Sequence, residues 1–344
     1  MAANTLNNLL ILSIPEVQAI FLEVMESIVD QAMIDEMVAA IEQNDAEALY
    51  RASGFTPALL GPILDAVQEI FEKAAKATVD DWPKRIMTPA GPVRFVFDVR
   101  NPRAEQQIKD HASQFVTRIS NEVRENVNVL LQEGQIRGEN PRRVALDIVG
   151  RVNPTTKKRE GGIIGLAQNQ ISWVNSARRY LEQNNEAYFT LNLRDKRFDG
   201  IVKKAIAEKK PLDQETISKL ITSFKNNALR YRAEMVARTE SQQAINRGEN
   251  AAFVQAFDDG VLQREQVKKE WDDVSDSRVR TTHRVMGQNY GAGNGIDFDE
   301  PFVSPSGARM MFPGDTSLGA PANEVIMCRC KQRVKVDWNY GLEE

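Results

Sequence analysis

Cysteine is nearly missing from this sequence of 344 residues: Cys328 and Cys330 are the two, one residue apart. A bridge that short closes almost no loop, so a disulfide scaffold is excluded and a reducing cytoplasm is the expected place of synthesis. Histidine is equally scarce, with His111 and His283. No glycine-rich phosphate loop opens a helix, and neither histidine lies in a nucleophile or metal box, which argues against a hydrolase or transferase. Long apolar runs are scarce as well. The stretch from Leu6 to Leu22 is broken by Asn7, Asn8, Ser13, Pro15, Glu16 and Gln18, and is expected neither to span a bilayer nor to form the apolar stretch of an export signal. No internal repeat and no low-complexity segment stands out.

What is present describes an ordinary globular chain, 42% apolar and 27% charged with 20 Gly and 14 Pro. At about 150 residues per domain, its length allows roughly two domains. The net charge of -4 conceals a strong polarity along the chain. Residues 1–80 hold three basic side chains, Arg51, Lys73 and Lys76, against thirteen acidic ones, whereas residues 81–250 carry a surplus of ten positive charges. The densest positive tract comprises Arg194, Lys196, Arg197, Lys203, Lys204, Lys209 and Lys210, and a second cluster is Lys157, Lys158 and Arg159. An acidic head and a basic middle suit different neighbours, and the basic residues are candidates for contact with phosphate.

Periodicity predicts helices for most of the first 260 residues. Ser13-Ile14-Pro15-Glu16 reads as a capping box opening the stripe Val17, Ile20, Phe21, Val24 and Ile28. A second helix passes through Met33, Met37 and Ile41, and Thr56-Pro57 starts a third that carries Leu60, Ile63, Val67, Ile70 and Phe71. The run from Val93 to Val99 predicts a short strand or extended linker. Asn101-Pro102 opens a long helix whose stripe includes His111 as a core residue and stops near Gly134. Further helices are expected from Asn140-Pro141 to Gly150, over 163–182 and over 216–258, with a basic loop at 151–162. After Gly260 the pattern turns to a strand at 267–271, a short helix at 276–286, a glycine-rich loop at 287–295, a hairpin at 301–312 and a closing strand at 325–336. The expected fold is mainly α, an elongated helical stem with a small C-terminal α+β domain. Its expected divisions are an acidic helical region 1–83, a basic helical region 84–230 and the α+β domain 231–344.

His283, Cys328 and Cys330 form the best candidate metal set, with zinc the ion such ligands suit. Alternate residues of a strand share a face, so both thiols are expected to meet one point while Arg329 faces away. Asp276, Asp315 or a water remain open as the fourth ligand, and a reduced apolar core explains the same residues without a metal.

The series Ala237-Arg238-Thr239-Glu240, Trp271, Asp276-Ser277-Arg278-Val279-Arg280, His283, Gly287, Phe298, Pro313-Gly314-Asp315, Ala322-Asn323-Glu324 and Cys328-Arg329-Cys330 resembles, in order and spacing, the phage Mu F-like family of minor head, or head morphogenesis, proteins. The resemblance covers roughly Tyr231 to Val336 and is weaker over 135–230. Met327 departs from it, because the family usually has asparagine there. The resemblance implies a non-enzymatic minor capsid protein of a tailed bacteriophage, made in the host cytoplasm and carried in the virion. It also implies a place inside the head at the portal vertex, with the portal protein and the major capsid protein as partners; the basic middle adds packaged double-stranded DNA as an expected partner, and the broken apolar run implies no membrane. Some relatives carry an appended toxin or transferase domain, for which the fourteen residues after Cys330 are expected to leave no room. The charges Arg238, Glu240, Asp276, Arg278 and Arg280 are expected to form ion-paired struts. Two alternatives remain: a phosphate-acting phage enzyme using Arg278, Arg280 and His283, and a free-standing, non-specific nucleic-acid binder. On the acidic first eighty residues, the apolar stripe Val17, Ile20, Phe21, Val24 and Ile28 is equally open to docking in a partner's groove and to packing inside the protein.

Overall fold

The computed structural model describes residues 2–341, with side chains from Thr5 onward. Its helices are α1 (Ala2–Asp30), α2 (Ile34–Glu42), α3 (Ala46–Ala52), α4 (Gly61–Asp80), α5 (Pro102–Ile136), α6 (Pro141–Val149), α7 (Gln168–Glu182), α8 (Asp199–Ala207), α9 (Gln214–Asp258), α10 (Thr281–Tyr290) and α11 (Ala322–Val325). The strands are β1 (Ile86–Thr88), β2 (Gly91–Val93), β3 (Arg151–Val152), β4 (Arg159–Glu160), β5 (Val267–Asp272), β6 (Ile296–Asp297), β7 (Phe302–Val303), β8 (Arg309–Met310) and β9 (Lys331–Val336). The fold is mainly α with a small antiparallel sheet, order β6-β5-β9, near the C-terminus.

Several local expectations need correction. The first helix does not begin at Ser13: α1 runs unbroken through Pro15. The hydrogen bond that proline cannot make would end on the carbonyl of Ile11, whose residue is exposed and can be served by water. The apolar stretch expected over Leu6 to Leu22 also continues past Leu22 in the same helix. From Thr5 to Asp30 it contains an 18-residue window of mean hydropathy 1.5, long and apolar enough to cross a membrane by length and composition. Of that window 28% is buried, and α1 buries Val17, Phe21, Val24, Met25 and Ile28. The docking stripe expected there is therefore internal at these four of its five positions: Val17, Phe21, Val24 and Ile28. Of the 93–99 run, only Val93 joins a ladder, opposite Ile86. The basic loop holds the two-residue pairing of β3 with β4, and the glycine-rich loop begins later than expected because α10 continues to Tyr290.

The chain forms two compact units, and each draws on segments from more than one of the three regions read from the sequence. Residues 19–63 and 112–234 make one, and residues 1–18, 64–111 and 235–344 the other. The first unit is helical. Asn126 donates to the Leu166 carbonyl at 2.7 Å, Gln170 to the Ala228 carbonyl at 2.9 Å, and Arg232 to Glu122 at 2.5 Å. Gly165, at φ +85°, sits where a Cβ would lie 2.6 Å from Met25 Sδ. Lys225 is buried with its ammonium on the Asp147 carbonyl at 3.2 Å, and burial pushes it down to about 8.

The second unit contains the sheet. β5 and β9 pair antiparallel, with Val267 opposite Val336 and Trp271 opposite Gln332. One cluster gathers Trp82, Ile86, Phe253, Ala256, Leu262, Val267 and Phe298, with Trp82 4.9 Å from the Phe253 ring centroid. Another gathers Trp271, Met286, Phe302, Met310, Val325 and both cysteines. α9 approaches α4 closely at Gly248, where a Cβ would fall 2.3 Å from the Phe71 carbonyl oxygen.

That approach reverses the usual effect of removing a helical glycine, which favours alanine by about 1 kcal/mol. Gly248→Ala is expected to destabilise the chain by about 1–3 kcal/mol, since a backbone atom cannot step aside. At Gly134 the added methyl would instead meet the Val144 side chain at 2.6 Å, and Gly134→Ala is expected to cost less. Denaturant unfolding of the two variants checks the order.

Candidate metal centre

His283 lies in the first turns of α10 and is buried, as are Cys328 and Cys330. Its Nδ1 is 3.5 Å from Cys328 Sγ and 3.4 Å from Cys330 Sγ, and all three ligand atoms lie within 4.8 Å of one another. The expected convergence is present, but the expected reason is not. β9 begins at Lys331, so the two cysteines precede the strand. What turns them inward is Met327, which adopts φ +58° after α11 while its N–H donates to Thr239 Oγ1 at 3.0 Å.

The other side of the imidazole is also built. His283 Nε2 is 2.9 Å from Glu324 Oε2. The second oxygen of that carboxylate accepts from Ser306 Oγ at 2.6 Å, and Thr282 Oγ1 donates to Oε2 at 3.0 Å. Burial works against charge on Glu324, yet these hydroxyls and His283 hold it below the usual carboxylate range. Nε2 thus lies at ion-pair distance from a buried carboxylate while Nδ1 faces the thiols. Within the cysteine pair, Cys328 is the more acidic, because Cys330 donates its S–H to it. The Trp271 ring meets the imidazole edge-on at 5.1 Å.

The two carboxylates considered as a fourth ligand are engaged elsewhere. Asp276 accepts from Arg329 at 2.6 Å and from the Arg278 N–H at 2.8 Å, and the Arg329 guanidinium holds it well below the carboxylate range. Asp315, buried, accepts from the Met311 and Ser317 N–H groups, both at 2.9 Å. The remaining motif residues are fasteners. Arg280 donates to the Ile326 carbonyl, and Asn246 donates to the Pro313 carbonyl at 2.7 Å. Gly314 adopts φ +86°, and a Cβ on Gly287 would fall 2.9 Å from Asp273 Oδ2. Glu240, fully buried, lies 2.9 Å from Nε2 of His111. His111 is therefore the partner of a buried carboxylate rather than simple core packing, a pairing across 129 residues that a helical stripe cannot reveal.

The ten basic candidates divide. Lys158 pairs with Glu26 at 2.7 Å, Arg194 with Asp199 at 3.0 Å, Arg197 with Asp195 at 2.6 Å and Lys204 with Glu208 at 3.8 Å, while Arg159 donates to the Gly150 carbonyl. Lys157, Lys196, Lys203, Lys209 and Lys210 are exposed and have no carboxylate partner among the described residues; Lys203 lies over the Phe189 ring. Sequence reading missed a different arrangement: Arg137, Arg143, Arg178 and Arg179 line one concavity of about 640 Å³, together with Glu139 and Glu182. Arg178 and Arg179 are adjacent in α7, but Arg137 follows α5 and Arg143 lies in α6, so no local charge run marks the site.

Left-handed backbone costs an ordinary side chain about 1–2 kcal/mol, whereas glycine and asparagine tolerate it. Met327→Asn, restoring the residue usual in the family, and Met327→Gly are both expected to raise stability, by up to about 1 kcal/mol. Thermal unfolding of each variant against the parent is the check.

Compared with known proteins, residues 204–333 match the family described as phage Mu protein F like protein. No curated protein and no solved structure matches the chain. The match takes in the end of α8, all of α9, the sheet's central strand and the His283–Cys328–Cys330 group. Over residues 204–333 the chain is thus similar to the phage Mu protein F-like family, a similarity that suggests phage head morphogenesis.

Proposed function

We propose that the protein is a minor capsid protein of a tailed phage that binds the portal vertex during head assembly, stays in the virion and lies against packaged DNA. The observation that carries this reading is the phage Mu protein F-like match over residues 204–333. The buried state of the chemically distinctive residues supports a structural role. His283 and both cysteines are at most 2% exposed, Arg280 is spent on a backbone carbonyl and Arg278 on Asp276. This arrangement offers a substrate no open group of Arg278, Arg280 and His283.

The DNA contact rests on the helical unit. The arginine-lined concavity and the five exposed lysines all belong to residues 112–234. Guanidinium groups bind phosphate oxygens without reading base sequence. The portal contact rests on the acidic first eighty residues, where Ile11 and Leu12 are 59% and 70% exposed on α1. These two side chains take over the anchoring role for which the buried stripe is unsuited.

Two outcomes are expected. Duplex binding by the purified chain falls as salt rises, and changing Arg143, Arg178 and Arg179 to Gln flattens the dependence by roughly one unit of log–log slope for each phosphate that is no longer neutralised. Binding indifferent to both salt and substitution removes the DNA role. In infected cells, Ile11→Ser with Leu12→Ser is expected to lower the copy number of the protein in purified heads while the isolated chain folds as before. Full incorporation of that variant would move the portal contact away from α1.

A further inference from the structure

We propose that His283, Cys328 and Cys330 hold one zinc ion that fastens α10 to the segment entering β9. This inference stands independently of the head-assembly reading. With Zn–N at about 2.0–2.1 Å and Zn–S at about 2.3 Å, a tetrahedral angle separates nitrogen from sulfur by about 3.5 Å. The structure places Nδ1 at 3.5 and 3.4 Å from the two sulfurs. Both nitrogen–sulfur separations are thus already those of ligands on one ion, and all three atoms lie within 4.8 Å of one another.

Nδ1 of His283 and both sulfurs face one point, with Nε2 beside the Glu324 carboxylate on the other side of the ring. A cation accepts all three atoms at once. Zinc with two thiolates and a neutral imidazole is also neutral overall, which suits a site whose residues are at most 2% exposed. The support behind the histidine has the form that metal sites use: a carboxylate on the distal ring nitrogen, itself fixed by the Ser306 and Thr282 hydroxyls. No fourth His, Cys or carboxylate joins the group among the described residues. The last vertex is left to a water molecule, as in other sites with three protein ligands.

On binding, both S–H bonds break and their protons leave to solvent. Each sulfur gives a lone pair to zinc, as does Nδ1, and no electron is transferred. The result is a cross-link between residues 45 and 47 positions apart. It lies in a cluster where β7 and β8 supply only two residues each.

The test uses the full chain, produced with zinc in the medium and purified without chelator. Elemental analysis is expected to give roughly one zinc per chain, and cobalt substitution a thiolate-to-metal charge-transfer band with the strong visible absorption of a tetrahedral site. Chelator should lower the melting temperature and added zinc restore it. Glu324→Gln should weaken zinc affinity by about 10–100-fold, read by competition with a chelator on the folded variant. Cys328→Ser with Cys330→Ser should abolish the cobalt band. A folded parent with reduced thiols that takes up no zinc, and whose melting ignores zinc and chelator, overturns the proposal. So does zinc retained by the double variant, which would place it elsewhere, or occupancy by copper alone. If the double variant fails to fold, absence of the charge-transfer band in the cobalt-treated parent decides against the site.

Discussion

A polar group taken out of water needs a partner or costs several kcal/mol, and the C-terminal half of α9 buries such groups in close succession. Thr239, Glu240, Gln242, Gln243, Asn246, Arg247, Asn250 and Gln255 are all buried. Four of them meet distant parts of the same unit, and Gln242 donates to Asn246 one turn along the helix. Glu240 meets His111, Thr239 takes the Met327 N–H, Asn246 holds the Pro313 carbonyl and Gln255 receives the Asp98 N–H. Three of these pairings fix loops with little regular structure of their own, and the fourth joins α9 to α5.

The same logic shapes the metal candidate. Met327 is held in a left-handed conformation by its bond to Thr239, so the constraint on α9 also aims Cys328 and Cys330 at His283. Glu324 completes the group from α11, and Arg280 ties the Ile326 carbonyl beside it. The chemistry of these four residues is therefore a consequence of how the loop between α11 and β9 is anchored. A single long helix organises a site to which it contributes no ligand.

Charge follows a different rule, that of availability. A net surplus over 81–250 says little until ion pairs are removed: Arg194 and Arg197 spend their charge on neighbouring aspartates, and Lys158 on Glu26. What remains is an exposed set of lysines, and Arg143, Arg178 and Arg179 in a concavity that they share with the ion-paired Arg137 and with Glu139 and Glu182. Phosphate binding depends on the cations left over and on their convergence, not on the density of Lys and Arg along the chain.

Sequence by itself determined the mainly helical class, most helix starts, the hairpin at 301–312 and the identity of the His283, Cys328 and Cys330 group. These depend on local periodicity, on capping and turn residues, and on a motif whose order survives in one dimension. It was silent on the two units, whose boundaries fall inside α1, α4, α5 and α9, where a helix gives no compositional sign that its neighbours have changed. Tertiary structure alone decided that the stripe at Val17 and Phe21 is buried, that His111 answers Glu240 and that Glu324 stands behind His283. It also brought Arg137 and Arg143 to Arg178 and Arg179. The physical reason is the same in each case: burial and pairing belong to atoms that meet in space, and helical periodicity reports which face a residue occupies without reporting what lies across from it.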